Sequence, residues 1–242
     1  MANLLVEVGN TAVKAAWSEG TTLGKTYRYQ GEMRLDFILS LTAKEKPEVL
    51  TVATGNEITP AEKEILSREC RHLLILDNAH TKTLLSYGLP EYLSYDRVAS
   101  IVAVKRLFEN KACTIVDLGT TLTMDFVSAT GRYAGGIISP GCRTRFKALN
   151  RYSRSLPLVD TPAEIAPEGT SIESSMETGV VSGIMFEIEG YVRLHPENIL
   201  VFTGGDAIYF AKKMKNSIFV VSNLVMIGMA LITDDYVRKN LQ

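Results

Sequence analysis

The sequence predicts an α/β protein made of two halves that share one order of elements. Short apolar runs of strand length alternate with longer amphipathic runs of helical spacing along the chain. A strand, a glycine turn and a second strand begin near residue 4, and the same series begins again near residue 114. Strands separated by helices predict sheets with parallel members, and the recurrence predicts two such sheets with helices packed on them.

The first half, which we bound at residues 1–110, opens with a predicted hairpin. Leu4 to Val8 is mostly apolar, Gly9-Asn10-Thr11 supplies turn residues, and Ala12 to Trp17 continues as a second strand. The other predicted elements of this half are a strand at Thr22 to Tyr29, a helix at Arg34 to Thr42, a strand at Val49 to Ala53, a helix at Pro60 to Arg71, a strand at Leu73 to Leu76 and a helix from Asp96 to about Phe108.

The second half, residues 111–242, repeats the hairpin before its helices. Thr114 to Val116 leads into Asp117-Leu118-Gly119-Thr120-Thr121, and the chain continues as Leu122 to Val127 and Tyr133 to Ile138. The other predicted elements are a helix at Arg143 to Tyr152, a proline-rich loop at Leu156 to Gly169, a long helix at Ser171 to Leu194, a strand at Asn198 to Thr203, a helix ending at Lys213, a strand at Ser217 to Val221 and a helix at Val225 to Arg238.

The two turns carry the same three residue types. Glu7, Gly9 and Thr11 correspond to Asp117, Gly119 and Thr121, which lie 110 positions later. Glycine lets a backbone approach a phosphate closely, amides and threonine donate hydrogen bonds to its oxygens, and a carboxylate holds a screening cation. One such turn is typical of an ordinary hairpin, but two equivalent turns favour a site for a nucleotide triphosphate.

The composition indicates a globular protein that acts on a small solute. The net charge of -1 gives no basic patch for nucleic acid or an anionic membrane, and no apolar run reaches the ~18 residues of a spanning helix. The first residues run into a strand without a basic, cleavable leader, so we expect a cytoplasmic location. The three cysteines are widely spaced, which argues against a disulfide framework or a zinc site.

The paired turns resemble those of the actin-like ATPase superfold, in which two duplicated ribonuclease-H-like domains enclose a nucleotide cleft. A further segment, Tyr87 to Arg97, resembles the substrate motif of type III pantothenate kinases, with its tyrosine, proline turn and Gly-x-Asp-Arg. Asp117 to Thr123 resembles the second phosphate motif of that family, and Gly135 to Gly141 resembles its Gly-Gly-x-Ile-x-Pro-Gly segment. The resemblance implies ATP-dependent phosphorylation of pantothenate to 4'-phosphopantothenate, which begins coenzyme A synthesis.

The resemblance assigns the substrate and catalytic residues. Asp96 is the implied catalytic base, accepting the proton of the primary hydroxyl of pantothenate. Tyr87 and Arg97 are implied to hold other groups of the substrate. Taken alone, Asp96-Arg97 at a helix start is better explained by a carboxylate that complements the helix dipole and a solvated arginine, so its role as a site depends on the surrounding motif. The implied substrate-binding set is Tyr87, Ser94, Tyr95, Asp96 and Arg97.

The resemblance also assigns the nucleotide and the ions. Asp117 is implied to bind a monovalent cation, K⁺ or NH₄⁺, and Thr120 to contact ATP, while Mg²⁺ arrives with the nucleotide. Gly204-Gly205 is placed either for close approach to adenosine or as a plain strand-to-helix turn. The implied first phosphate loop consists of Glu7, Val8, Gly9, Asn10, Thr11, Ala12, Val13 and Lys14.

Three residues depart from the family pattern. Glu7 replaces an aspartate, which keeps the charge but lengthens the side chain by one methylene. Ser94 replaces the glycine of the substrate motif, and Ile172 replaces a threonine that meets the substrate from a second subunit. Ile172 cannot donate or accept a side-chain hydrogen bond, so it is left out of the predicted site, with Thr170 nearby as an alternative.

The long helix predicts a homodimer. Met176, Val180, Ile184 and Ile188 repeat at three- to four-residue spacing, and other apolar residues lie around the helix, so it is buried on more than one side. Burial within one subunit remains an alternative. The family resemblance favours a twofold interface that completes the pantothenate site, with Ile188 expected to point outward.

Two other functions stay open for the sequence alone. Relatives of this kinase family with the same fold act as transcriptional accessory factors, so a non-catalytic binding protein is one alternative. A kinase for a different small alcohol is the other. The joint presence of Asp96, Arg97, Asp117 and Thr120 favours catalysis, and the segment from Tyr87 to Arg97 favours pantothenate.

Overall fold

The structure is a computed structural model that describes residues 2–9, 11–77 and 86–241. Its strands are β1 Ala2–Val8, β2 Val13–Glu19, β3 Thr22–Tyr29, β4 Val49–Thr54, β5 His72–Leu76, β6 Cys113–Leu118, β7 Thr121–Val127, β8 Tyr133–Pro140, β9 Ile199–Thr203 and β10 Ile218–Val220. Its helices are α1 Arg34–Thr42, α2 Pro60–Arg68, α3 Tyr95–Leu107, α4 Cys142–Tyr152, α5 Ile172–Leu194, α6 Ala207–Lys213 and α7 Leu224–Asn240. Within these ranges, no helix combines the length and apolar character needed to cross a membrane.

The two sheets repeat one topology. The first has the strand order β3-β2-β1-β4-β5 and the second, read from its other edge, β8-β7-β6-β9-β10. In each sheet the first three strands pair antiparallel as a meander, and the remaining strands add in parallel. The central strands β1 and β6 are buried, as a strand covered on both faces must be. The predicted duplication of an α/β sheet is confirmed.

The chain divides into two compact units, Met1–Leu107 with Leu224–Gln242 and Phe108–Asn223. Helix α7 therefore belongs with the first sheet, whereas our boundary at residue 110 grouped it with the second half. Packing within the first unit explains its place. Gly228 lies so close to α3 that a Cβ there would stand 1.9 Å from the carbonyl oxygen of Ala99. A buried hydrogen bond of 2.7 Å also joins the hydroxyls of Thr233 on α7 and Thr51 on β4.

Helix α5 supplies the core of the second unit. Met176, Val180, Ile184 and Ile188 are at most 6% exposed and pack in one cluster with residues of β6, β7 and β9. The expectation that Ile188 points outward is wrong, because the periodic apolar face is the one turned toward the sheet. The large apolar side chains that α5 does expose are Ile172 at 54%, Phe186 at 65% and Leu194 at 70%.

Candidate active site

The first phosphate-type turn joins β1 to β2. The Gly9 amide donates a 3.0 Å hydrogen bond to the Ala12 carbonyl, which closes the turn. Val8 and Val13 pair directly at the base of the hairpin, and Val13 is buried in the core, so its side chain is structural. Thr11 is exposed at the tip, while Asn10 lies outside the described residues.

Glu7 and Lys14 face each other across this hairpin. They are register partners, and the Lys14 Nζ lies 3.3 Å from Glu7 Oε2. That Oε2 is buried and has no aligned hydrogen-bond donor within the described part of the chain. Burial raises the pKa of Glu7, the Lys14 ammonium opposes this rise, and the negative charge of Asp96 adds to it. The Asp96 carboxylate therefore lies near enough to Glu7 to act on it electrostatically.

The segment with the substrate-type motif forms a turn that opens α3. Gly88 has φ +69°, in the left-handed region that glycine adopts without strain. The Leu93 amide donates to the Pro90 carbonyl at 3.2 Å, and the Val98 amide donates to the Ser94 carbonyl at 3.0 Å. Ser94 thereby starts the first helical turn, which places Asp96 and Arg97 at the positive end of α3.

Asp96 is the chemically distinctive residue of this turn. Its Oδ1 is buried and has no hydrogen-bond partner within the described part of the chain. Because an unpaired buried acceptor is costly, the atom is suited to receiving a donor from a ligand. Its neighbours Tyr95 and Arg97 are each 6% exposed, so Tyr95 is a core residue and Arg97 places its charge beneath the surface.

Tyr87 has a partner that the sequence analysis did not identify. Its hydroxyl donates a 2.8 Å hydrogen bond to Asp235 Oδ2 on α7. Burial and the Asp235 carboxylate both raise the pKa of Tyr87, so the phenol keeps its proton. No local motif marks Asp235, which lies 148 positions from Tyr87, and only the packing of α7 in the first unit brings the two together.

The second phosphate-type turn joins β6 to β7 and contains only Gly119 and Thr120 between its strands. The Gly119 amide donates to the Thr121 carbonyl at 3.0 Å. The Thr120 carbonyl accepts from the Gly141 amide at 3.0 Å and from the Thr144 hydroxyl at 2.6 Å, and the Thr120 side chain is exposed. Thr144 was missed by the sequence analysis, and it helps to hold the turn with Thr120 outward.

Asp117 lies at the end of β6 beside a required glycine. Gly204 has φ +92°, and a Cβ there would stand 2.5 Å from both Asp117 Oδ1 and the Leu118 carbonyl oxygen. Both of these are oxygen atoms, the donors that hard cations prefer, and the Gly204 backbone packs directly against them. Asp117 therefore supplies, near the end of β6, the carboxylate type of donor that an alkali or ammonium ion takes. Three or more His, Cys, Asp or Glu side chains do not gather into a metal cluster in residues 2–9, 11–77 and 86–241.

An apolar groove of about 1280 Å³ lies between α4 and α5 of the second unit. Ile172, at the start of α5, lines it and is 54% exposed, and Tyr152 on α4 is 83% exposed. Thr170, the alternative to Ile172, also lines the groove. Arg145 borders it and forms an ion pair with Glu187, which ties α4 to α5.

Comparisons with known proteins agree with this architecture. The sequence model of the family described as type III pantothenate kinase matches residues 3–194. The type III pantothenate kinase of Cytophaga hutchinsonii is 35% identical over 94% of this chain and 96% of its own length, and that of Bacteroides fragilis (strain YCH46) is 33% identical over 94% and 95%.

A solved structure supports the fold independently of close sequence similarity. The activator of the 2-hydroxyisocaproyl-CoA dehydratase from Clostridium difficile, with bound ADPNP, matches with a TM-score of 0.61 at 13% identity, covering 100% of this chain and 97% of that one. The duplicated sheets thus have the actin-like ATPase fold, as predicted. With matches of this length and identity, the chain belongs to the type III pantothenate kinase family.

Proposed function

We propose that this chain transfers the γ-phosphoryl group of ATP to pantothenate, giving 4'-phosphopantothenate and ADP. The proposal rests on the buried Oδ1 of Asp96, which has no hydrogen-bond partner among the described residues, in the substrate-type turn of a member of this family. A carboxylate oxygen without a donor is placed to receive the hydroxyl proton of an alcohol. Because the phosphoryl donor is ATP, the proposed location is the cytoplasm.

Asp96 is the proposed general base. It takes the proton of the substrate's primary hydroxyl as that oxygen attacks the γ-phosphorus, and general-base catalysis is worth about 10²–10⁴-fold in rate. Arg97 and Tyr87, with Ser94 and Tyr95 of the same turn, form the proposed pantothenate site. A buried guanidinium suits the carboxylate of pantothenate, because it offers only donors and stays charged. Most of the remaining rate comes from alignment of the reactants.

The loop from Glu7 to Lys14 is the proposed site for ATP phosphates, and Thr120 is a second proposed ATP contact. Lys14 supplies an ammonium for phosphate oxygens, and Glu7 supplies a buried carboxylate whose Oε2 lies 3.3 Å from that ammonium. A carboxylate in this place fits a hydrated Mg²⁺, which usually takes only one or two protein carboxylates and neutralises phosphate charge when bound.

Asp117 is the proposed ligand of a K⁺ or NH₄⁺ ion. The Asp117 carboxylate supplies oxygen donors near the end of β6, where the Gly204 backbone packs against it. K⁺ and NH₄⁺ are larger and more weakly hydrated than Na⁺, so they lose less hydration energy when they bind to oxygen ligands of the protein. On this proposal, turnover depends on potassium or ammonium and is low in sodium alone.

A homodimer is proposed from the exposed apolar surface of the second unit. Ile172 and Phe186 lie on one face of α5, and Tyr152 adds to the same side at the groove. Three large apolar side chains exposed on one side of the unit indicate an interaction surface, and one patch that pairs with itself closes as a twofold dimer. The second copy is the proposed occupant, in keeping with the family resemblance.

A coupled assay of ADP release tests the function. Purified protein with MgATP is given pantothenate, or no acceptor, in potassium and in sodium buffers. The proposal expects ADP release that requires pantothenate and potassium. ADP release that needs another alcohol would favour the alternative kinase, and absence of turnover with every acceptor would favour the non-catalytic alternative.

A further inference from the structure

We infer that Asp235 is a positioning residue that holds Tyr87 as a hydrogen-bond acceptor toward the substrate. The inference rests on the proposed function, because it states which partner donates and which accepts in one hydrogen bond of the pantothenate site. It concerns α7, which lies beyond the residues matched by the family model.

The direction of the hydrogen bond to Asp235 sets these roles. A phenol has one hydrogen, and the Tyr87 hydroxyl gives it to Asp235 Oδ2 at 2.8 Å. An ionised carboxylate accepts only, so the two groups cannot exchange roles. The Tyr87 oxygen is left with lone pairs alone, and it can meet a substrate donor but not a substrate acceptor.

The position of Asp235 is fixed by the packing of its helix. Gly228 rests on the backbone of Ala99 in α3, the helix whose first turn carries Asp96. Two residues before Asp235, Thr233 is fully buried and bonded to Thr51. Asp235 is thus held at a set place relative to α3, and it transmits that placement to Tyr87.

The consequence is that Tyr87 and Arg97 bind different groups of the substrate. Pantothenate carries donors in its amide N–H and its hydroxyls, whereas its carboxylate and carbonyl groups only accept. An acceptor-only Tyr87 therefore contacts the amide N–H or the secondary hydroxyl. The carboxylate is left to a donor such as Arg97, and a ligand without the matching donor faces an unpaired Tyr87 oxygen.

The test measures kcat and the KM for pantothenate in Asp235→Ala, Tyr87→Phe and the double variant. Each single variant is expected to raise the KM about 10-fold with kcat within about twofold, as for loss of one binding contact. The double variant should match Tyr87→Phe, because Asp235 acts only through Tyr87. Asp234→Ala is the control, since it removes the neighbouring charge, which pairs with Arg238 at 2.5 Å instead.

Asp235→Asn is measured as well, so that the inference can still be tested if the alanine variant misfolds. Its side-chain oxygen can accept the same hydrogen bond, so the KM should stay close to wild type. Two pantothenate analogues, one with an ester in place of the amide and one without the secondary hydroxyl, identify which group donates to Tyr87. The analogue that lacks the donating group should have a higher KM than pantothenate in the wild type but not in Tyr87→Phe.

Four results would overturn the inference about Asp235, and the proposed function would still stand as long as the wild type phosphorylates pantothenate. They are an unchanged KM in folded Asp235→Ala, additive effects in the double variant, an equal rise in Asp234→Ala, or a KM in folded Asp235→Asn as high as in Tyr87→Phe. Wild-type protein that leaves pantothenate unchanged would instead reject the proposed function and this inference together.

Discussion

Replacing Gly204 with alanine tests whether the close contact of this glycine with Asp117 and Leu118 excludes a side chain. The new Cβ would stand 2.5 Å from Asp117 Oδ1 and 2.5 Å from the Leu118 carbonyl oxygen, closer than real Cβ contacts come. The backbone at φ +92° is also unfavourable for alanine. Either the turn or the Asp117 carboxylate must shift.

The two effects have an approximate size. A strained backbone conformation costs about 1–3 kcal/mol and overpacking about 1–3 kcal/mol more. For a chain of this length each kcal/mol lowers the Tm by about 2–4 °C, so Gly204→Ala should lower it by about 4–24 °C. The displaced carboxylate should also weaken activation by potassium.

Gly205→Ala is the matched control. No atom lies within 4 Å of a Cβ at Gly205, and its φ is not positive. Its Tm should therefore stay within about 2 °C of wild type, with potassium dependence retained. Melting curves and rate against potassium concentration measure both variants. Equal Tm values and equal potassium activation for Gly204→Ala and Gly205→Ala would refute the reasoning.

Four further expectations follow from the same structure. Asp96→Asn should fold normally and lose about 10²–10⁴-fold in kcat, and a near-normal rate would remove Asp96 from the mechanism. Asp117→Ala should abolish the difference in rate between potassium and sodium buffers, and a wild type equally fast in both buffers contradicts the cation role. Phe186→Asp should yield monomers in sedimentation velocity, whereas Met33→Asp, another exposed apolar position, should not; dimers in both would contradict the proposed interface. Burial raises the pKa of Glu7 in the folded state, so the folded protein loses stability relative to the unfolded chain as rising pH ionises this carboxyl group. The Tm of Glu7→Gln minus the Tm of wild type should therefore grow from pH 4 to pH 7, and a difference that is constant with pH would contradict this.

The fold was predictable because its signals are local and repeated. Strands such as Thr22–Tyr29 and helices such as Arg34–Thr42 have the bounds that their patterns predict. Comparison of the hairpins at Glu7 and Asp117 also predicted the duplication, since the acid and glycine recur in each. The turns themselves differ, because four residues, 9–12, separate β1 from β2, while only Gly119 and Thr120 separate β6 from β7.

Features that depend on long-range packing were not predictable. Helical spacing shows which residues of α5 share a face but not whether that face meets a sheet or a partner, so Ile188 was expected outward and is buried. The placement of α7 with the first unit depends on the close approach of Gly228 to Ala99. The residues adjacent to Asp235 in the sequence therefore do not indicate that it contacts Tyr87. Asp96 was recognised from its motif, while the absence of a partner for its Oδ1 within the described residues needed coordinates.

The proposed kinase activity is tested most directly by measuring both products of one reaction. Purified protein is incubated with MgATP and pantothenate in potassium buffer, and ADP and phosphorylated pantothenate are quantified by mass spectrometry. Asp96→Asn serves as the background. The account predicts equal amounts of ADP and of pantothenate phosphorylated on its primary hydroxyl, both falling at least about 100-fold in the variant. ADP formed without phosphorylated pantothenate, or equal product from the variant, would contradict it.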